Sequence, residues 1–444
     1  MSGATHRESP VRITARAVGL AITIVVLLLL TGYLQSWNTA LVILDMGLIS
    51  AVMALGVNLQ WGLAGLFNVG IMGFVALGGL AAVLVSMPPT AAAWSAGGGR
   101  VVVALLAGAA TVAAAVFVWR RVRSGLQRTL SMSVVLLIGF VLYRWLLDPA
   151  TDAIESVNPA GTGYLGGLGL PIVLAWPLGG LLAAAAAWLI GKTALGLRSD
   201  YLAIATLGIS EIVIAVLKNE DWLSRGVKNV VGLPRPVPYE VDLQSTPAFV
   251  EQARAFGLDP VTASTLTVKL AYAGLFAVVL LMLLLLAQRA LNSPWGRMMR
   301  AIRDNETAAS AMGKNVTARH LQVFVLGSAI CGIAGAMLTT LDGQLTPGSY
   351  QPLRFTFLIW IMVIVGGSGN NIGAVLGGFL IWFLWVQVEP IGHWLMGLIT
   401  SGMTDGSALK AHLLASAAHM RLMTMGMILL LVFRFSPRGL VPER

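Results

Sequence analysis

The sequence predicts an all-α, polytopic membrane protein of about ten to twelve membrane segments, some of them broken or re-entrant. Three observations carry that prediction. Hydrophobic residues make up 57% of the 444 and charged residues only 11%, against roughly 25% charged in an average soluble domain. Mean hydropathy is +0.82, which is more apolar surface than a soluble core absorbs. The apolar residues also fall in separate runs, many near or beyond the roughly 18 residues needed to cross a bilayer. The 50 glycines suit helices that approach one another closely in lipid.

The whole chain, 1–444, reads as one membrane domain. Apolar runs lie at about 17–34, 40–57, 62–86, 101–119, 130–147, 168–190, 201–217, 268–288, 318–341, 355–366, 372–388 and 422–434. The first run follows a basic segment, 1–16, with Arg7, Arg12 and Arg16. No small-residue cleavage pattern comes after it, so a retained first helix is expected rather than a removable signal. Orientation follows from two short connections. RRVRSGLQR (Arg120 to Arg128) holds four basic residues and no acid, while DPATDAIES (Asp148 to Ser156), read as the next loop, holds three acids and no base. The first belongs on the cytoplasmic face and the second outside. Counting onward puts 1–16, 289–317 and both termini in the cytoplasm, and the connection 218–267 and the loop 389–421 outside. The net charge of +10 sits between apolar runs, as expected for a chain partnered by lipid and not by nucleic acid. A single cysteine, Cys331, excludes an internal disulfide.

Three runs are wrong for plain spanning helices. WGLAGLFNVGIMGFVALGG (Trp61 to Gly79) has six glycines, YLAIATLGISEIVIAVL (Tyr201 to Leu217) is short and carries Glu211, and MVIVGGSGNNIGAVLGG (Met362 to Gly378) breaks at a Gly/Asn-rich turn. Irregular backbone survives at membrane depth only when buried in protein or lining a wet cavity, and transporters build substrate sites from such breaks. Asn68, Gly70, Glu211, Gly366, Gly367 and Asn370 are therefore translocation-path candidates. The competing reading is that the glycines only permit close helix packing and that Glu211 holds a helix junction; the residues themselves leave both open. Asp45, nearer a helix end, is expected to snorkel.

Catalytic signals fail. GKT at Gly191 to Thr193 ends a membrane run, and Ala186 stands where a phosphate-binding loop needs its leading glycine. GGSGNNIG (Gly366 to Gly373) has no lysine. His6, His320, His393, His412 and His419 show no ligand spacing supported by nearby carboxylates. Neither a metal site nor an enzyme is expected.

SPWGRMMRAIRDNETAASAMGKNVTARHL (Ser293 to Leu321) is the charged exception. Arg297, Arg300 and Arg303 recur every three residues, which places them along one side of a helix leaving the membrane. Asp304 or Asn305 can cap a new short helix, Glu306 lies in its first turn where the helix dipole favours an acid, and Gly313 can end it in a left-handed conformation. Such a helix is too short to be stable alone. Its small residues, Ala308 to Ala311, suit a groove on another protein.

ETAASAMG (Glu306 to Gly313) resembles the Glu-Ala-Ala…Gly loop by which permease subunits of ABC importers contact their ATPase subunits. GRMMRAIRDNETAASAMGKNVTARHLQVFVLGSAICGIAGAM (Gly296 to Met337) resembles the same region of the M-type permeases of branched-chain amino-acid importers, the hydrophobic amino-acid and urea family. GVNLQWGLAGLFNVGIMGFVALGGLAA (Gly56 to Ala82), GLRSDYLAIATLGISEIV (Gly196 to Val213), VIVGGSGNNIGAVLGGFL (Val363 to Leu380) and VFRFSPRGLV (Val432 to Val441) support it in the family's order.

The resemblance implies a subunit of the bacterial plasma membrane that works with a second permease, two cytoplasmic ATPases and an extracytoplasmic solute-binding protein. Leucine, isoleucine, valine or a related small polar solute would move inward, with ATP and Mg2+ held by the partners and none in this chain. Glu306, Ala309 and Gly313 match the docking loop, and Arg300, Arg303 and Asp304 match the charged helix before it. Two departures leave the substrate open between branched-chain amino acids and urea or short amides. WLSRGVKNVVGLPRP (Trp222 to Pro236) keeps only part of a Thr-Gly-Gly-rich stretch, and apolar residues replace the usual polar one near Ile71 and Met72. An ion-coupled secondary transporter would instead need paired acids or a sodium site in the broken helices, and a channel-like or purely structural subunit would need no ATPase.

Overall fold

The structure is a computed structural model in which residues 14–404 and 407–443 are described. Arg7, Arg12 and His6 lie outside the described residues, as does most of the 1–16 segment. Ten described helices are long and apolar enough to cross a membrane. Two shorter apolar helices, Ile71–Ser86 and Pro352–Gly366, bring the apolar helices to the number of runs in the sequence.

Helix α1 (Ala15–Leu34) starts where the Thr14 hydroxyl accepts the Ala17 N–H at 3.0 Å. Ser36 caps α2 (Trp37–Asn58), which widens into a π turn at Leu59–Leu63. The run at 62–86 is not one helix. Residues 65–70 are non-helical, beginning with Gly65 at φ 67°, and α3 (Ile71–Ser86) starts afterwards. A hairpin of α4 (Ala91–Arg121) and α5 (Leu126–Glu155) follows, then α6 (Ala175–Ala194) and α7 (Ser199–Asn219). Short helical turns and strand β1 (Val230–Val231) lead to α8 (Pro260–Asn292), capped by Asp259. Two short helices, α9 (Pro294–Asp304) and α10 (Glu306–Ala311), precede α11 (Val316–Asp342). Strand β2 (Gln344–Leu345) pairs antiparallel with β1. The chain ends with α12 (Pro352–Gly366), α13 (Asn371–Ile399), α14 (Ala408–Ser416) and α15 (Met420–Phe435).

The core forms where α2, α3, α6, α11, α12 and α13 meet. Glycines set its spacing. A Cβ at Gly78 would strike the Gly332 backbone, one at Gly335 the Val75 backbone, and one at Gly378 the Ala51 backbone, so the helices touch through their main chains. The α4–α5 hairpin stands apart. Only 17% and 6% of the residues in its two most apolar stretches are buried, and a small cluster including Ala93, Leu147, Ile154 and Trp222 attaches it.

Two stretches that read as loops are largely helical. Asp148 to Glu155 forms the last turns of α5, with Pro149 inside the helix. Arg144 pairs with Asp148 one turn on at 3.1 Å, so the acid is answered locally instead of ending the helix. Within 389–421, α13 continues through Pro390 to Ile399 and α14 occupies much of the rest. Polar side chains near the start of that stretch find partners within the bundle. Gln387 donates to Thr31 Oγ1 at 3.1 Å and accepts from Gln35 at 2.9 Å, and Glu389 pairs with Arg421. Asp45 does not snorkel either: it is 1% exposed in the body of α2, with Oδ1 unpartnered.

Connections gather at two ends. At one, residues 87–90 bond to the 165–170 loop, and β1 meets β2. At the other lie α9, α10, the turn between α12 and α13, and the tail 436–443, with Arg16 against that tail.

Candidate functional site

The chain leaves α8 at Ser293 and turns, because Pro294 fixes the first position of a new helix and the Ser293 hydroxyl accepts the Gly296 N–H at 3.4 Å. The arginines therefore do not continue a membrane helix. They lie on α9, an amphipathic helix that buries Met299 and Ile302 while Arg297 stays exposed. Arg300 donates to the Leu291 carbonyl at 3.3 Å. Asn305 rather than Asp304 caps α10, accepting the Ala308 N–H at 2.9 Å. Glu306 is exposed in its first turn, and Gly313 follows its end at φ 75° in open space.

Only part of α10 faces outward. Ala309 is 8% exposed and joins the core cluster, whereas Glu306, Thr307, Ala308, Ser310 and Ala311 are exposed. Met312, which sequence reading passed over, is 80% exposed just beyond the helix. The result is a small-sided ridge with one projecting flexible apolar side chain.

Arg303 points the other way, into the protein. Its Nη1 donates to the Gly62 carbonyl in the π turn and to Glu443 Oε2 at 2.7 Å, and its Nε reaches Asp304 at 3.3 Å. Burial opposes the charge, but Glu443 and Asp304 more than compensate and hold the guanidinium above its ordinary value. Beside it, Asn58 Oδ1 accepts the Gly369 N–H at 2.8 Å, and its Nδ2 donates to Asn371 Oδ1 at 2.9 Å. Asn370 caps α13 through Ile372 and Gly373 and donates to the Pro442 carbonyl at 3.4 Å. The tail closes the assembly with Leu440 N–H on Val365 O at 2.9 Å and Val441 N–H on Gly366 O at 3.0 Å. Gly367, at φ 116°, has no room for a side chain against Val441.

Sequence-selected residues thus fall into three groups. Gly366, Gly367 and Asn370 join Arg303 at the α9–α10 end. Asn68 and Gly70 lie in the break between α2 and α3. There Asn68 donates to Gln60 at 2.9 Å and accepts the Gly70 N–H at 2.9 Å, its carbonyl takes the Trp360 indole N–H at 3.1 Å, and Val69 N–H meets Thr206 Oγ1 at 3.1 Å. Gln60 continues to Phe324 O and Ser328 Oγ on α11 at 2.9 and 3.0 Å. Glu211 joins neither group. It is exposed on α7, on a broad groove shared with Lys218, Arg354 and Arg421. Sequence reasoning missed Asn58, Gln60, Trp360, Asn371 and Glu443. Asn58 and Gln60, polar residues ending a long apolar run, were the available signal.

The family model described as branched-chain amino acid transport system / permease component matches residues 153–433. The chain is 29% identical over 275 residues to the high-affinity branched-chain amino acid transport system permease protein LivM of Escherichia coli strain K12, covering 61% of each chain. Identity and coverage are the same for the LivM protein of Salmonella typhimurium. It is 25% identical over 296 residues to the probable branched-chain amino acid transport permease protein LivM of Methanocaldococcus jannaschii, covering 66% of this chain and 74% of that one. The matched part spans 61% of the length of the two bacterial relatives. No solved structure matches.

Proposed function

The chain belongs to the family of branched-chain amino acid transport system permease components, and from that premise we propose that it is the membrane permease subunit of an ATP-driven importer. The observation that carries the reading is α10: a capped six-residue helix with a small-sided outer face, whose neighbour Arg303 bonds to the π turn after α2 and to Glu443 of the tail, which in turn bonds Gly366 before the glycine turn. Motion imposed on α9 and α10 reaches both irregular elements through hydrogen bonds, without a flexible linker between. Glu306, Ala309 and Gly313 form the docking loop, supported by Arg300, Arg303 and Asp304; Ala309 anchors it and its exposed neighbours make the contact.

In this reading the α9–α10 end faces the cytoplasm and meets one of two ATPase subunits, which hold ATP and Mg2+ and perform the hydrolysis. Both termini share that side, and the connection 218–267 and the 389–421 region lie outside, toward a solute-binding protein. Ionisable side chains at membrane depth do not face lipid, so the groove with Glu211, Arg354 and Arg421 is covered by a second permease and forms the path with it. Asn68 and Gly70, at the break beside α7, and the Gly366, Gly367 and Asn370 turn adjust that path. The solute is a branched-chain amino acid, or failing that urea or a short amide, and the setting is the bacterial plasma membrane.

The test replaces Gly313 with tryptophan and, separately, Glu306 with lysine. A Cβ at Gly313 meets nothing, so the first change acts through the left-handed backbone and the outer surface, not through the core. Loss of ATPase co-purification and of ATP-dependent leucine uptake is expected from both. Survival of both activities unchanged refutes the docking role.

A further inference from the structure

A cavity of about 190 Å³ lies between α2, α11, α12 and α13, roofed by the connection after β2, at the end opposite α10. That is many times the roughly 10–15 Å³ of such space that one water needs, so the chamber has room for a small solute. Its body is apolar and dominated by methionine: Met46, Met53, Met72 and Met362 all line it, and methionine moulds itself to branched aliphatic shapes. Its floor at Met72 is two residues beyond Gly70, so it sits above the α2–α3 break.

Its polar groups gather toward the β2 connection, where Gln344, Ser349 and Tyr350 line it, and Tyr350 is already bonded to Thr339 Oγ1 at 3.0 Å. Asp342 is the last residue of α11, at the negative end of the helix dipole, where a carboxylate is disfavoured. Among the described residues no side chain pairs with it. Thr346 and Trp382 also line the cavity, and Thr346 Oγ1 and Trp382 Nε1 are buried without a hydrogen-bond partner. An indole N–H only donates, a threonine hydroxyl can donate, and a carboxylate only accepts. The unpaired Asp342, Thr346 and Trp382 beside the methionines complement a zwitterion: an ammonium for Asp342, a carboxylate for Thr346 and Trp382, and an aliphatic side chain for the methionines. Urea has neither charge, and a sugar would leave the methionine lining unfilled.

We propose that this cavity, inside a single permease subunit, is a binding site for a free α-amino acid with an aliphatic side chain, entered from the face opposite the docking helix. The proposal rests on the importer reading above and deepens it. It makes the permease itself selective, ahead of the path shared with the second permease.

The experiment uses the complete permease–ATPase complex in lipid nanodiscs without binding protein, with radiolabelled leucine as the probe. Saturable leucine binding is expected. 4-Methyl-2-oxopentanoate, which lacks the ammonium, and 3-methylbutylamine, which lacks the carboxylate, should each compete at least about tenfold more weakly than leucine, the scale of one lost charged hydrogen bond. Asp342→Asn should weaken leucine binding by about the same factor, and Trp382→Phe, which keeps the ring and removes the N–H, should weaken it severalfold. Both variants keep side-chain volume, and an unchanged melting temperature without leucine checks that they fold. In proteoliposomes with binding protein, uptake KM should rise in both while ATPase co-purification stays intact. If the wild-type complex imports leucine with ATP but neither variant changes binding or KM, the cavity proposal is wrong and the importer reading stands. If the wild-type complex shows no ATP-dependent uptake of any solute, the importer reading falls and takes the proposal with it.

Discussion

Replacing Arg303 with alanine should loosen the tail and the glycine turn together. The side chain donates to the Gly62 carbonyl and to Glu443, and both ion-pair partners are only 26% exposed. Hydrogen bonds to charged groups contribute roughly 1.5–3 kcal/mol each. The Asp304 contact adds almost nothing, because that carboxylate is 68% exposed and such pairs are screened. After partial relaxation, a local loss of about 2 kcal/mol is expected, or roughly a thirtyfold change in a local opening constant. Hydrogen exchange reads that constant directly. The Leu440 and Val441 amides, bonded to Val365 and Gly366, and the Gly369 amide, bonded to Asn58, should each exchange about thirtyfold faster in Arg303→Ala, while amides in the middle of α11 keep their rates. Glu443→Gln retains an acceptor but removes the charge, so it should accelerate them about fivefold, corresponding to ~1 kcal/mol. The two changes should be non-additive, with a coupling of about 1 kcal/mol or more. Additive effects, or unchanged exchange at Leu440 and Val441, would refute the claim that Arg303 joins the docking segment to the tail.

Asn305→Ala removes the α10 cap and should destabilise the docking segment by about 1 kcal/mol, seen as faster exchange at the Ala308 amide and weaker ATPase co-purification. Gly335→Val forces a side chain into the Val75 backbone; overpacking of this kind costs about 1–3 kcal/mol or more and should lower the detergent melting temperature, whereas the same change at Gly274, where a Cβ meets nothing, should not. Burial pushes the Tyr350 phenol well above its ordinary 10, despite the opposing Thr339 hydrogen bond. Its contribution to stability is therefore fully present below pH 10 and is lost as pH rises past it; in ultraviolet titration the phenolate deficit of the native protein at pH 11, relative to the unfolded chain, should shrink by about one tyrosine in Tyr350→Phe.

The spans were legible because length and hydropathy suffice to mark them. The short helix α10 was legible because caps are local: Asn305, Glu306 and Gly313 act within a few residues of themselves. What failed to show was every contact made at long range. Asn58 answers Asn371 across 313 positions and Gln60 answers Phe324 across 264, and no local pattern encodes such a pairing. Asp148 to Ser156 misled for a complementary reason: its acids mark polarity, but Arg144, which answers Asp148 at 3.1 Å, lies outside the stretch.

The same distinction explains why the glycine turn reads as a path element from sequence and lies beside Arg303 in space. Gly366 and Gly367 are required by the tail: Leu440 and Val441 hydrogen-bond to α12 at its last turn, and a side chain at Gly367 would occupy the place of the Val441 carbonyl. The α2 break meets the same turn through Asn58 and the docking segment through Gly62 and Arg303. Four segments far apart in sequence therefore share one hydrogen-bonded knot, in which none can shift without at least one neighbour breaking a bond. A contact confined to α10 could bind a partner and transmit nothing. Because α9 is tied through Arg303 to the turn that ends α2, and α2 continues up to the methionine-lined cavity at Met53 and Met46, the two proposed sites, the docking face of α10 and the cavity, bear on the same helix from opposite ends.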